Sequence, residues 1–293
     1  MDDLQLTETE FHLFRELIYK RAGITLSEAK RQMVRTRLQK RLRHYGLERF
    51  QPYYDLVQAQ GENGEELEVL INCITTNKTD FFREPHHFEH IAQHILPELA
   101  RRAKQGEIAP RLKIWHAGCS TGEEPYTLGI TLSEAFAKIG GGWDYRQLAS
   151  DIDTDVLAKA ERGVYDSERT SAIPPDLLKR YFRRGAGDKS DFAQVKQELR
   201  ERITFRQINF QEEVWPITPG TQFDIIFCRN VIIYFDKPMQ KRLFARFEKL
   251  LRPGGWLFIG HSESLLGLSD SFQSLGRTMY QLPDNAIQKR RAA

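Results

Sequence analysis

The run L-K-I-W-H-A-G-C-S-T-G-E-E-P-Y, residues 112–126, decides the fold. Leu112, Ile114 and Trp115 predict a strand, the small residues Ala117 to Gly122 a tight turn, and Glu123, Glu124 and Pro125 the start of a helix. Glycine accepts positive φ and carries no Cβ, so such a turn lets the backbone come close to a nucleoside-like ligand.

Downstream, strands and helices alternate. A helix over 126–139 ends at Gly140, Gly141 and Gly142, and a strand over 145–150 leads into Asp151, Ile152 and Asp153. An acid at that place in a doubly wound sheet hydrogen-bonds a ribose diol, which makes Asp151 the candidate; Asp153 is expected to cap the helix 155–162. Pro174 and Pro175 open another helix that ends near Tyr181. Segments 192–199 and 202–208 read as short strands after a glycine turn, placing a small β insertion at about 183–208. A buried strand, 223–227, closes on Cys228, Arg229 and Asn230; a helix, 237–251, leads to a strand at 256–260, and 272–281 supplies a last hairpin. This alternation predicts a mainly parallel sheet with its site at the strands' C-terminal ends, where the polar clusters fall.

Upstream, residues 1–73 read as four helices. The first stops near Gly23, Ser27 is expected to cap the second (28–45), Gly46 ends that one, and 50–60 and 65–73 follow. The second helix carries Lys30, Arg31, Arg35, Arg37, Lys40, Arg41 and Arg43 against Glu28 alone. Such a run is either a solvated face or a docking surface for an acidic partner. It lacks the arginine and aromatic interleaving that stacks bases, which argues against nucleic acid. Between the helices and the alternating region lies I-T-T-N-K-T-D-F-F-R-E, residues 74–84, whose Phe81 and Phe82 would be out of place in bare linker. A helix from Pro85 to about Lys104 carries His86, His90 and His94 one turn apart, but no H-E-x-x-H, so no metal is assigned.

The turn lacks the third glycine of G-x-G-x-x-G, and no G-K-[ST] follows, which disfavours NAD and ATP. S-adenosylmethionine fits what remains: a close turn, an acid for the ribose and polar groups for an amino-acid tail. Five motifs then coincide: T-T-N-K-T-D-F-F-R-E (75–84), A-G-C-S-T-G-E-E-P-Y (117–126), S-D-I-D (150–153), F-C-R-N-V-I-I-Y-F (227–235) and G-H-S-E (260–263). In this order they closely resemble the chemotaxis-receptor glutamate methyltransferases, the CheR family, over nearly the full chain.

That resemblance implies a class I methyltransferase-like doubly wound α/β sheet with a small antiparallel β insertion, preceded by an all-α domain. Residues 1–73 would be a receptor-docking domain, 74–84 an interdomain segment contributing to the cofactor site, and 85–293 the S-adenosylmethionine-binding catalytic domain. Asn77, Thr79 and Arg83 resemble cofactor contacts, Glu123 the partner of the methionine amino group, Asp151 the ribose ligand, and Asn209 with Phe210 the pair flanking adenine. Arg229 and Asn230 would line the pocket, and Arg83 with Tyr234 would orient the groups around the methyl. The implied reaction methylates glutamate carboxylates of a chemoreceptor's cytoplasmic helical bundle, releasing S-adenosylhomocysteine. Arg37, Lys40 and Arg41 would dock that bundle, and the insertion near Gly185, Ala186 and Gly187 could take a receptor C-terminal peptide by strand addition. The alternatives are an enzyme of the same fold acting on another substrate and a non-catalytic, cofactor-sensing adaptor.

The 293 residues, 40% hydrophobic, suffice for one large or two ordinary domains. No run approaches the ~18 apolar residues of a membrane span, and the acidic start M-D-D-L-Q-L is unlike a signal peptide. Cys73, Cys119 and Cys228 stand far apart, as expected of a reduced compartment. A cytoplasmic protein with no membrane insertion is expected, and a net charge of +3 is too small to imply nucleic-acid binding. The terminal Q-K-R-R-A-A, 288–293, suggests only solubility.

Overall fold

In the computed structural model, residues 4–284 are described; the acidic first three residues and the 288–293 tail lie outside them. Four helices come first: α1 (Glu8–Ala22), α2 (Arg31–Tyr45), α3 (Phe50–Ala59) and α4 (Glu65–Ile74). Thr7 and Glu10 form a capping box at the start of α1, satisfying two N–H groups that the helix leaves orphaned. Gly23 and Gly46 end α1 and α2 in the left-handed region. Ser27 makes no side-chain cap; a 3-10 turn, Glu28–Lys30, opens α2 instead. Phe14, Ile18, Val34, Leu38, Leu42, Phe50 and Tyr53 are fully buried in the core of this bundle.

Next come α5 (His86–His90), a π turn (Ile91–Ile95) and α6 (Leu96–Lys104), so the expected helix from Pro85 contains a wider turn. The alternating region then runs β1 (Arg111–Ala117), α7 (Glu123–Ile139), β2 (Asp144–Asp151) and α8 (Thr154–Arg162). After it come β3 (Val164–Asp166), α9 (Ser167–Thr170), α10 (Pro175–Tyr181), β4 (Phe182–Arg184), β5 (Phe192–Val195), α11 (Gln197–Arg200) and β6 (Ile203–Gln207). The chain closes with β7 (Phe223–Cys228), α12 (Lys237–Leu250), β8 (Leu251–Ile259), β9 (Gln273–Gly276) and β10 (Met279–Gln281).

Seven strands form the main sheet in the order β6-β2-β1-β7-β8-β10-β9. The first five are parallel and the last two antiparallel. Successive β1 side chains feed opposite faces: Trp115 joins Phe244 and Phe247 of α12 on one side, and Ile114 joins Phe88, Leu128 and Phe227 on the other. Chain order reverses between β1 and β7, so the turns after these strands diverge there and leave a crevice.

The insertion differs from its expected bounds. A separate antiparallel sheet, β3-β5-β4, begins at Val164 and ends at Val195, and 197–200 is helix. Residues 203–207, expected within the insertion, pair in parallel with β2 and form the edge of the main sheet. Local alternation cannot say which sheet a strand joins; the register with Gln147 to Asp151 does.

Candidate functional site

A cavity of about 1220 Å³, open mouth included, lies at the crevice. Its floor is the turn after β1, with Gly118, Cys119 and Ser120; Asp151 ends β2 and Ile152 follows it, Ile208 and Phe210 follow β6, and Arg229, Asn230, Val231 and Tyr234 follow β7. The helical bundle contributes Ala22, Ile24, Leu26 and Met33, and the segment 74–80 with Arg83 supplies another wall. Thr25 N–H donates to the Tyr234 carbonyl at 2.8 Å, and Ile24 pairs with Phe235 as an antiparallel bridge, so the bundle is stitched to the wall that carries Tyr234.

Strained backbone lies in the cavity wall and in the segment beside it. Phe82 (φ 57), Glu84 (φ 56), Ser120 (φ 50) and Asn230 (φ 60) are left-handed without being glycine, and such residues persist where surrounding bonds over-determine them. At Ser120 and Asn230 those bonds come from buried carboxylates. Asp151 accepts the Ser120 N–H at 2.8 Å. Glu263, from the G-H-S-E motif, accepts the N–H groups of Asn230 (2.9 Å), Ile232 (3.0 Å) and Gly260. Gly118 has φ 100, and a Cβ there would lie 2.3 Å from Val231 Cγ2, so only glycine lets the β1 and β7 turns pass.

Asp151 is buried at the end of β2, and that burial pushes its carboxyl up to about 6, against the Asp153 and Ser120 N–H groups that favour its charge. Asp153 caps α8, as expected, and also accepts from Thr75 (2.6 Å) and Asn77 (2.7 Å), which ties the interdomain segment to the sheet. Ser120 Oγ donates to the Asn77 carbonyl at 3.1 Å, closing the same wall onto the turn. Arg229 pairs with Glu124 at 3.1 Å and Glu84 at 3.4 Å and donates to the Arg83 carbonyl. Burial alone would raise the Glu124 carboxyl, but the His116 hydrogen bond (2.7 Å) and the Arg229 charge outweigh it and hold it low.

Asn77, Thr79, Arg83, Asp151, Phe210, Arg229, Asn230 and Tyr234 all line this one cavity. Two expected neighbours do not. Glu123 faces away, fully buried, bonded to Thr121 (2.7 Å) and paired with Arg169; Glu124, about 100° around the helix, takes the cavity side. Asn209 turns its amide to the Arg21 carbonyl (2.7 Å), where it closes the end of α1, and only its neighbours Ile208 and Phe210 reach the cavity.

Two of the expected docking residues make bonds within the helical bundle. Arg37 caps the end of α4, donating to the carbonyls of Ile74 (2.6 Å) and Thr75 (2.7 Å), which have no helical partner. Arg41 forms a two-pronged pair with Glu66 (2.8 and 2.7 Å), an acid only 3% exposed. Of the three, Lys40 remains on the surface, where Arg31 and Arg43 of α2 are also exposed. His86, His87 and Glu84, rather than three histidines in a row, bring ligand-type atoms within 4.8 Å of one another. The Arg229 charge beside Glu84 opposes a cation there.

The family description "CheR methyltransferase, SAM binding domain" matches residues 77–281, and "CheR methyltransferase, all-alpha domain" matches 9–75. This chain belongs to the CheR methyltransferase family. It is 44% identical to the chemotaxis protein methyltransferase of Salmonella typhimurium, over 95% of this chain and 92% of that one. It is 43% identical to the chemotaxis protein methyltransferase of Escherichia coli (95% and 92%), and 45% to chemotaxis protein methyltransferase 2 of Pseudomonas aeruginosa (95% and 94%). The fold is that expected from the sequence, and the cofactor is S-adenosylmethionine.

The cavity's chemistry suits that cofactor. Asp151 offers a carboxylate at the end of β2, Ile208, Phe210, Leu26 and Met33 offer apolar surface, and Glu124 beside Arg229 offers both charges an amino-acid tail needs. None of the described helices is long and apolar enough to cross a membrane.

Proposed function

We propose that this chain methylates glutamate side chains on the cytoplasmic helical domains of chemoreceptors, forming methyl esters for sensory adaptation. The observation that carries the proposal is the placing of Arg83 and Tyr234 on different walls of one cavity whose remaining lining suits S-adenosylmethionine. The relatives' names, chemotaxis protein methyltransferases at 43–45% identity, point to the same substrate class.

S-adenosylmethionine supplies an electrophilic methyl on sulfur. A glutamate carboxylate, with an ordinary pKa of ~4.3, is already ionised near neutral pH, so the enzyme needs no base and has to align and desolvate. Asn77, Thr79, Asp151, Phe210, Arg229 and Asn230 hold the cofactor, with Glu124 in the place expected for Glu123. Arg83, side chain 30% exposed, brings a positive charge to the incoming carboxylate. Tyr234, whose hydroxyl donates to the Thr76 carbonyl at 3.5 Å, orients it as well. Residues 1–73 dock the receptor, and α2 begins at the cavity, where Lys30 and Met33 line it, so a helical bundle held along α2 reaches the mouth. The exposed cations Lys40 and Arg43, about 60° apart on the outer side of α2, give that face its attraction for an acidic partner, and the exposed Arg31 adds charge at the start of the helix.

Transfer of labelled methyl to receptor cytoplasmic fragments, released by mild base as an ester should be, tests the proposal. Arg83→Ala and Tyr234→Phe are expected to lower kcat by about 10- to 1000-fold while S-adenosylhomocysteine still binds. Base-stable label, or label on another molecule, would defeat it.

A further inference from the structure

The cofactor turn is held from a second side. Gly118, Ser120 and Gly122 have φ of 100, 50 and 96, three left-handed residues within five. The first half is fixed by the main sheet: the Ser150 carbonyl accepts from Gly118 and Cys119, both at 2.8 Å, and Asp151 accepts from Ser120. The second half is fixed by the small sheet. Tyr165 Oη, on β3, donates to the Thr121 carbonyl at 2.7 Å. Arg169, on α9, donates to Thr121 Oγ1 at 3.1 Å and pairs with the buried Glu123. A Cβ on Gly122 would lie 2.9 Å from Tyr165 Oη, so that side chain rests directly against the turn.

We propose that Tyr165 and Arg169 are positioning residues that hold the S-adenosylmethionine turn in its binding shape from the small antiparallel sheet. The inference rests on this turn being the cofactor's, and extends the site to a part of the fold that does not line the cavity. Tyr165 is a core residue whose hydroxyl is spent on the turn rather than on its own sheet. Its ring packs on Phe81 at 4.9 Å, and Phe81 belongs to the interdomain segment, so one side chain braces two walls. Arg169 is pre-set, because Asp166 accepts its backbone N–H at 2.8 Å and fixes the start of α9. Glu123 acts as the relay: fully buried, it needs the guanidinium to remain charged, and it passes that anchor to Thr121 through a 2.7 Å bond.

The test measures S-adenosylhomocysteine binding by calorimetry, and steady-state kinetics, on the full chain carrying Tyr165→Phe, Arg169→Gln or Arg169→Lys. Removing one donor leaves a buried acceptor unpaired, and the cofactor's Kd and KM should each rise about tenfold, with KM for the methyl acceptor unchanged. Arg169→Lys should recover most of the loss, because a point charge still meets Glu123. Cofactor affinity within twofold of wild type in the Arg169→Gln protein overturns the proposal, as does a lowered melting temperature with unchanged Kd. Should Tyr165→Phe fold poorly, the Arg169 pair decides, since that side chain is 44% exposed, its replacement opens no cavity, and Arg169→Lys keeps a positive charge beside the buried Glu123. Wild-type protein that binds S-adenosylhomocysteine but methylates no receptor would refute the proposed substrate and leave this inference standing.

Discussion

Replacing Arg41 with Met separates a docking role from a structural one. The guanidinium meets Glu66 through two bonds of 2.8 and 2.7 Å, and Glu66 also accepts from Tyr53 (2.6 Å) and Tyr45 (2.8 Å). Glu66 is 3% exposed and Arg41 20%, so the pair is largely withdrawn from water. Removing one partner of a buried pair costs about 3–5 kcal/mol; with two tyrosine hydroxyls left on the carboxylate, the lower end applies, about 3 kcal/mol. Burial alone would raise the Glu66 carboxyl, yet the Arg41 and tyrosine hydrogen bonds hold it below its ordinary value. Its contribution is therefore present above the unfolded pKa and is lost as pH falls through the folded one. Urea denaturation with hydrogen exchange over residues 8–74 reads the loss in the full protein, and methyl transfer reads KM for the receptor. A stability change below about 0.5 kcal/mol together with a raised receptor KM would return Arg41 to the docking surface and refute the structural account.

Three further outcomes are expected. Asp151, pushed up to about 6 by burial, accepts two ribose hydroxyls best as the carboxylate, so S-adenosylhomocysteine should bind most tightly above that pH and more weakly below it; a flat calorimetric profile from pH 5 to 8 counts against its role. Gly118→Ala, with its Cβ 2.3 Å from Val231 Cγ2 and φ of 100, should abolish detectable cofactor binding, and near-normal affinity would show that the turn can yield. Reversing Arg31, Lys40 and Arg43 together should raise receptor KM about tenfold at low salt, shrinking toward wild type as ionic strength rises, with kcat little changed.

Much of the site was legible because its residues sit at strand ends, which the alternation of elements locates. Asp151, Asn230 and Tyr234 fall into the cavity for that reason. What escaped depends on direction rather than position. Whether Glu123 or Glu124 faces the cavity is a question of phase at the first turn of α7, and two adjacent glutamates leave it open. The bonds that Asn209 and Arg37 make are invisible in sequence because their partners are backbone carbonyls, of Arg21 and Ile74, and a carbonyl leaves no trace in the residue types. Glu66 carried a signal that could have been used. It lies four and eight residues before Leu70 and Ile74, on the apolar stripe of α4, and an acid on a buried stripe requires a cation such as Arg41. The edge strand 203–207 was found but given to the wrong sheet, since pairing partners distant in sequence decide membership.

The two family matches meet at residues 75–77, inside the cavity wall formed by Thr75, Thr76 and Asn77. Modularity on paper thus ends in the middle of a binding site. A chain cut at that boundary would lose Ala22, Ile24, Leu26 and Met33 from the lining and the bridge from Ile24 to Phe235 beside Tyr234. Neither half can be exchanged for a homologous module without re-matching that seam, so the helical bundle and the cofactor pocket are inherited together.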